Sequence, residues 1–370
     1  MSQELYRVGL IMAAIHCLGT GLVGAWVAKR LALLGHEVHA YDIQPHRVMD
    51  FEGITVHQGD ILENLMSISR NGQVDMVVNM LPGDIGHMAT TNLAESRYRI
   101  VDLSFSKHTP DRDNQKAKDY GARILWDVGI APGLSNMLLA YADRKLGPLE
   151  KAEVWVGGNP TGPYGEWKYM APFSPIDVIA EYTRPARVIR QGEEITLPAL
   201  TQRHMVDTGE HGEMEAFLTD GLRSVLKSIP AFEMSEFTVR WPGHIQKFID
   251  ERDSGDLNED ELIFEWNYDH KIPEFTWMKV RAESRNGEIL EWEVEDHGGD
   301  DGHSMARTTG MVTACSVEAW LEDPNMLPLG VHAPETLGSD VISKIIKTMK
   351  SNNIRICLLY TSDAADDANC

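Results

Sequence analysis

Basic residues are in short supply. Thirty-four Lys and Arg stand against 56 Asp and Glu, a formal charge of −22 over 370 residues. Such a surface repels phosphate backbones and anionic headgroups, so neither nucleic acid nor a membrane surface is expected as a partner. Cysteine is also rare. Cys17, Cys315, Cys357 and Cys370 show no pairing or ligand spacing, the usage of a reduced, cytoplasmic chain. No apolar run reaches the 18 or so residues of a spanning helix. Residues 8–18 are apolar but short and lack a cleavage-like end, so they read as the approach to a first strand rather than a signal peptide. The acidic run Asp250–Glu261 lacks the ligand spacing of a calcium loop. It is expected to be a solvated surface excursion, and no metal is expected.

What is present begins with Ile15-His16-Cys17-Leu18-Gly19-Thr20-Gly21-Leu22-Val23-Gly24, an apolar run feeding a G-x-G-x-x-G turn, with a helical pattern from Ala25 to Leu34. Gly19 allows the tight turn, Gly21 lets a pyrophosphate approach the backbone, and Gly24 lets the helix pack on the strand. The helix N-terminus then offers unpaired N–H groups to phosphate. Thr20, Leu22 and Val23 fall in the same phosphate-facing turn. A second strand, Glu37–Tyr41, ends in Asp42, 18 residues past Gly24, where an acid can hold the adenosine ribose. Asp42 repels a 2′-phosphate, so NAD is favoured. Arg47 lies five residues further on and leaves NADP open.

Strand and helix patterns alternate to about residue 130. Strands are expected over Gly53–Asp60, Asp75–Pro82, Arg99–Ser104 and Ala122–Asp127, making six in all, with helical crossovers between them. That is an α/β chain with a Rossmann-type doubly wound parallel sheet, whose ligands bind at the carboxyl ends of the strands. Asp60, Asn79, Leu81, Asp102 and Asp127 stand at such ends; the first three join the cofactor candidates. Beyond Gly147-Pro148 the pattern changes to strand runs, with hairpins around Gln191-Gly192 and Asn286-Gly287 and few helices, an α+β domain. Residues 1–147 and 148–305 are thus read as two domains.

Five further stretches stand out: Asp127-Val-Gly-Ile-Ala-Pro-Gly-Leu-Ser-Asn136, Trp155-Val-Gly-Gly158, Phe217-Leu-Thr-Asp-Gly-Leu-Arg223, Val239-Arg-Trp-Pro-Gly-His244 and Met305-Ala-Arg-Thr-Thr309. Together they resemble the saccharopine dehydrogenase family, and most of all its lysine 6-dehydrogenase branch. The likeness runs from residue 13 to 340. It implies a nucleotide domain, to which 306–340 return, and a second domain carrying substrate groups and dimer contacts. It also implies a homodimer or larger homo-oligomer that oxidises an amine carbon with a nicotinamide cofactor. After Asp102 this chain reads Leu-Ser-Phe-Ser-Lys-His instead of the expected glycine-rich stretch. Separately, Cys357-Leu-Leu-Tyr-Thr-Ser-Asp-Ala-Ala-Asp-Asp367 closely resembles the translation of a transposon-end adapter used in sequencing libraries. Residues 357–370 are therefore expected to be a non-native tail.

Oxidising a C–N bond sends hydride to nicotinamide, and the nitrogen must be neutral for its lone pair to drive that transfer. A lysine amine has a pKa of about 10.4, so the site needs low polarity and a base. His244, after a Pro-Gly turn at a strand end, is the first candidate base, with Lys247 beside it and Asp102 as a further catalytic group. Arg223 and Arg240 are candidates for gripping a substrate carboxylate. Asp127 is a candidate partner for a substrate ammonium. Lys107 and His108 are loop residues of the same region, Arg307 falls in a family motif suited to structural work, and Cys17 belongs to the core. The expected activity is lysine 6-dehydrogenase-like oxidative deamination of a small amino-acid substrate. The alternatives are a saccharopine-type reaction on a secondary amine, and a non-catalytic nucleotide-binding protein of the same fold.

Overall fold

A computed structural model describes residues 12–362 and 365–369. Its contacts divide the chain into two units, one running through Trp126 and taking in Thr313–His332, the other made of Asp127–Val312 and the chain from Ala333 onward. The first boundary therefore falls at Trp126 rather than at Gly147-Pro148. The reason is the helix after Pro132-Gly133, which packs on strands of the second unit.

The first unit is built on β1 (Ala14–Leu18), α1 (Leu22–Leu33), β2 (Glu37–Asp42), β3 (Ile54–Gln58), α2 (Ile61–Asn64), β4 (Met76–Asn79), α3 (Gly83–Leu93), β5 (Arg99–Asp102), α4 (Asn114–Tyr120) and β6 (Arg123–Trp126). The apolar runs of β1 and β4 are buried along their whole length, as strands covered on both faces must be. The sheet is parallel and has seven strands, one more than expected. From one edge the order is Gly330–His332, β6, β5, β4, β1, β2, β3, so strand order reverses between β1 and β4. The added edge strand pairs with β6 in parallel and is too short for periodicity to reveal.

The second unit contains α5 (Leu134–Leu146), β7 (Leu149–Pro160), α6 (Pro175–Thr183), β8 (Ala186–Arg190), β9 (Glu193–Leu197), β10 (His204–Asp207), β11 (Glu213–Leu218), α7 (Val225–Ser228), β12 (Ala231–Arg240), α8 (His244–Ser254), α9 (Glu259–Glu265), β13 (Glu274–Ser284) and β14 (Ile289–Asp296). Then come α10 (Ser304–Glu322), β15 (Gly330–His332, the edge strand of the first sheet), α11 (Ser339–Ser351), β16 (Arg355–Ser362) and β17 (Ala365–Asn369). A mixed ten-stranded sheet runs β10-β11-β12-β7-β13-β14-β16-β17, with β8 and β9 branching from β12. Local chemistry explains the punctuation. Gln191 and Gly192 both take positive φ in the β8–β9 turn, the geometry that suits the twist of paired strands. Ser174 caps α6 by accepting the Asp177 N–H, with Pro175 at the first helical position.

The acidic run 250–261 is exposed along almost its whole length, as expected of a solvated stretch, and it is largely helical. It is the end of α8, a short connection and the start of α9, anchored by the buried Ile245, Phe248 and Leu262 that flank it. Part of the stretch 357–370 forms β16 and β17, β16 pairing with β14, while residues 363, 364 and 370 lie outside the described residues. The approach to the first strand before residue 12 lies outside them too. Cys17 and Cys315 are buried and take part in no disulfide. Cys357 is disulfide-bonded, which corrects the expectation of unpaired cysteines. Among the described residues no helix is long and apolar enough to cross a membrane.

Candidate functional site

The turn after β1 is shaped by three different demands. Gly19 has φ +88°, and a Cβ there would meet the Met80 carbonyl oxygen at 2.9 Å. At Gly24 a Cβ would lie 2.3 Å from the Gly19 carbonyl oxygen. Gly21, which precedes α1, has nothing within 4 Å of its added Cβ. Two glycines thus fill the turn from inside, and the third leaves open space above a helix start with no side-chain cap. Bare backbone N–H groups facing an open approach fit a dinucleotide's diphosphate. Leu22 and Val23 begin the helix. Asp42 fastens the turn from the end of β2: its Oδ2 accepts the Thr20 N–H at 2.5 Å and the Thr20 hydroxyl at 2.9 Å. Its Oδ1 accepts the Gln44 N–H. Asp60 caps α2 through the Leu62 N–H.

At the ends of β4 and β5, Asn79 and Asp102 are wholly buried. The Asn79 amide donates to the Gly86 carbonyl, the Thr90 hydroxyl and Asp102 Oδ1, and its oxygen accepts the Leu81 N–H. Asp102 further accepts the Ser104 N–H and hydroxyl and the Thr90 hydroxyl. These two residues pin α3 and the loop 103–109 to the sheet, and Leu81 packs into the apolar core beneath. Asp102 therefore sits as a positioning residue. On α3, one residue after the Gly86 carbonyl that Asn79 holds, is His87, which sequence reasoning did not single out. It is 7 % exposed, and no hydrogen-bond partner reaches its buried Nδ1. Its ring is 5.5 Å from that of His108. Burial is the first cause lowering its pKa, with Arg112 adding to it. Nearby, the Ser106 hydroxyl donates to Asp84 at 2.6 Å and holds that carboxyl below its usual range.

In the second unit, Arg223 grips Asp127 through two parallel bonds, Nε to Oδ2 at 2.7 Å and Nη2 to Oδ1 at 3.0 Å. Burial pushes the Asp127 carboxyl up while the guanidinium pulls it back. Arg240 Nε donates to the Tyr182 hydroxyl at 2.8 Å, and its guanidinium lies 4.6 Å over the Tyr169 ring. The Tyr182 hydroxyl is 3.0 Å from His244 Nε2, and His244 Nδ1 is 2.8 Å from the Trp167 carbonyl. A guanidinium only donates, so the phenol oxygen accepts from it and sends its own proton to Nε2. Nδ1 then carries the ring hydrogen to Trp167. Both nitrogens of His244 are in use, and burial lowers its pKa to about 3. Lys247 pairs with Glu166 and Glu251 on the surface, over the Trp167 ring. Arg307 holds Asp296, Asp301 and the Asn352 carbonyl. Of the residues that sequence reasoning grouped, the structure brings His244 and Arg240 together on the Tyr182 hydroxyl and pairs Arg223 with Asp127, while Lys247 and Arg307 are held in ion pairs of their own.

Beside Arg240 runs a row that the sequence did not single out. Glu236, Thr238 and Arg240 share one side of β12 by the two-residue repeat, and all three are buried. Thr219 contacts Glu236 Oε2 at 2.6 Å and Thr238 at 2.9 Å, and Thr238 reaches Glu181 at 2.6 Å. These three hydrogen bonds need three hydrogens, but the two hydroxyls supply only two. The third must be a carboxyl proton. Glu236 holds it, because burial and then the Glu181 charge raise its pKa to about 8.

An open parallel sheet, a glycine turn at its switch point and an acid closing the second strand define a Rossmann-type doubly wound fold. The model of the saccharopine dehydrogenase C-terminal domain matches residues 129–354. This chain belongs to the saccharopine dehydrogenase family. It is 24% identical over 154 residues to the α-aminoadipic semialdehyde synthase of Arabidopsis thaliana, covering 40% of this chain and 14% of that protein. Over 193 residues it is 22% identical to the mitochondrial synthase of Rattus norvegicus, covering 49% and 21%. The matches thus span about a fifth or less of those relatives. Saccharopine dehydrogenase (L-Glu forming) from Saccharomyces cerevisiae has the same fold: TM-score 0.72, 14% identity, 95% of this chain and 100% of that one.

Proposed function

We propose that this protein is a nicotinamide-dependent oxidoreductase acting at the C–N bond of an amino acid, with the 6-amine of lysine as first substrate and a saccharopine-type secondary amine as second. The observation that carries the reading is the open space above Gly21 between two space-filling glycines. When a dinucleotide is bound, its nicotinamide ring would supply the hydride acceptor. Gly19–Gly24 and the start of α1 hold the diphosphate, and Asp42 disfavours a 2′-phosphate, so NAD is the preferred form. His87, whose buried Nδ1 has no hydrogen-bond partner, is the residue we assign to take the amine proton. His244 keeps the aromatic core of the second unit in place.

The test is absorbance at 340 nm with purified protein, NAD or NADP, and each amine in turn. Lysine-dependent reduction supports the first substrate, and saccharopine alone selects the second. Tight cofactor binding without turnover of any amine would leave a nucleotide-binding protein and overturn the enzymatic reading.

A further inference from the structure

We propose that the second unit carries a binding site for a zinc-class divalent ion, made by His211, Glu295 and His297. The site is separate from the nucleotide turn and does not depend on the oxidoreductase reading. His211 closes the short turn Gly209–His211 between β10 and β11. Glu295 lies at the end of β14 and His297 two residues on, so both project to the same side of the chain. The turn at His211 thus meets the end of β14, a strand four places from β11 in the sheet.

The donor atoms converge. His211 Nε2 is 2.9 Å from Glu295 Oε1, and His297 Nε2 is 3.2 Å from the same oxygen. All three ligand atoms lie within 4.8 Å of one another. Zinc bonds of about 2.1 Å in a tetrahedron separate neighbouring ligands by about 3.4 Å, so the Glu295–imidazole spacings need to open by only a few tenths of an ångström. The surroundings resist collapse. His211 stacks on the buried Phe275 at 3.4 Å, with an 11° angle between the planes. Glu295 is buried, whereas the His297 side chain is about half exposed, which leaves one open flank for entry and a fourth, water ligand.

Ligand chemistry selects the ion class. Two imidazoles and one carboxylate suit zinc, cobalt or nickel, and not calcium or magnesium, which want oxygen. The competing cation is Arg355, which bonds Glu295 Oε2 and reaches Glu293 at 3.0 Å. Because Arg355 takes Oε2 while the imidazoles converge on Oε1, it acts as an outer partner that orients the carboxylate. The bound ion would tie the β10–β11 turn to the end of β14.

The experiment uses the full chain, stripped with a chelator and passed through a desalting column after incubation with zinc sulfate. Metal content is read by mass spectrometry and affinity by cobalt titration in the visible range. About one zinc per chain is expected. His297→Ala should weaken binding at least tenfold; its side chain is the exposed ligand, so the fold should persist, checked by near-UV circular dichroism. His211→Ala should do the same, and His270→Ala, on a histidine exposed elsewhere, should leave binding unchanged. No retained zinc in the parent protein, or equal zinc in parent and His297→Ala, overturns the site.

Discussion

Asp127 and Arg223 form a buried, two-bonded ion pair in which both partners hold left-handed backbone, φ +55° and +56°. Each conformation is costly for a residue with a Cβ, by roughly 1–2 kcal/mol, and persists where the surroundings enforce it. The pair fixes the first residue of the second unit to the loop after β11. Asn tolerates this φ nearly as well as Asp, so Asp127→Asn isolates the charge. Leaving Arg223 buried without its counter-ion should destabilise the protein by about 3–5 kcal/mol in urea unfolding. A loss below about 1 kcal/mol would mean that the pair is not the clamp described.

The three glycines of the nucleotide turn should separate binding from folding. Gly21→Val adds atoms to open space and should keep the melting temperature within a few degrees while NADH binding by calorimetry falls at least tenfold. Gly24→Ala drives a Cβ into the Gly19 carbonyl and should lower stability by about 1–3 kcal/mol, the usual cost of overpacking. Equal NADH affinity in parent and Gly21→Val would remove the diphosphate from this turn.

The parallel sheet was legible in the sequence because its central strands, such as β1 and β4, are buried along their whole length and read as short apolar runs. The polar interior of the second unit was not. In β12 the alternation Glu236, Thr238, Arg240 against Phe237 and Val239 looks like a strand with one wet face. That face is dry only because Thr219, Glu181 and Tyr182 arrive from remote positions to cover it. Likewise, α8 hid within an acidic stretch. Its buried face rests on His244, Ile245 and Phe248 alone, too few positions to establish a helical period. His87 carried no signal at all, since its burial depends on the loop 103–109 meeting α3, where Ser106 bonds Asp84 and His108 lies beside His87.

His244 and His87 can be told apart by pH. His244, with a folded pKa near 3 against 6.5 in its unperturbed form, binds fewer protons folded than unfolded. Its contribution is therefore complete above pH 6.5 and is lost as pH falls toward 3. His244→Gln should destabilise by about 1–3 kcal/mol at pH 7, through lost bonds to Tyr182 and Trp167, and should flatten part of the acid loss. Its kcat against pH should keep the parent's shape. His87→Asn should instead cut kcat by about 10²-fold or more and erase the limb that reports the base. The reverse pattern would restore His244 to the chemistry.

Glu236 gives the opposite sign. Its folded pKa is raised to about 8 from 4.5, so between those values the folded protein binds the extra proton. Stability then falls as pH climbs from about 4.5 to 8 and levels off above, with the cost appearing once the Thr219–Thr238–Glu181 chain loses its third hydrogen. Glu236→Gln keeps the shape and a donor toward Thr219 but cannot ionise. Urea midpoints at pH 5, 7 and 9 should therefore show the parent losing ground to Glu236→Gln as pH rises, by on the order of a few kcal/mol across the range. Parallel pH curves for the two proteins would place the proton elsewhere in the row.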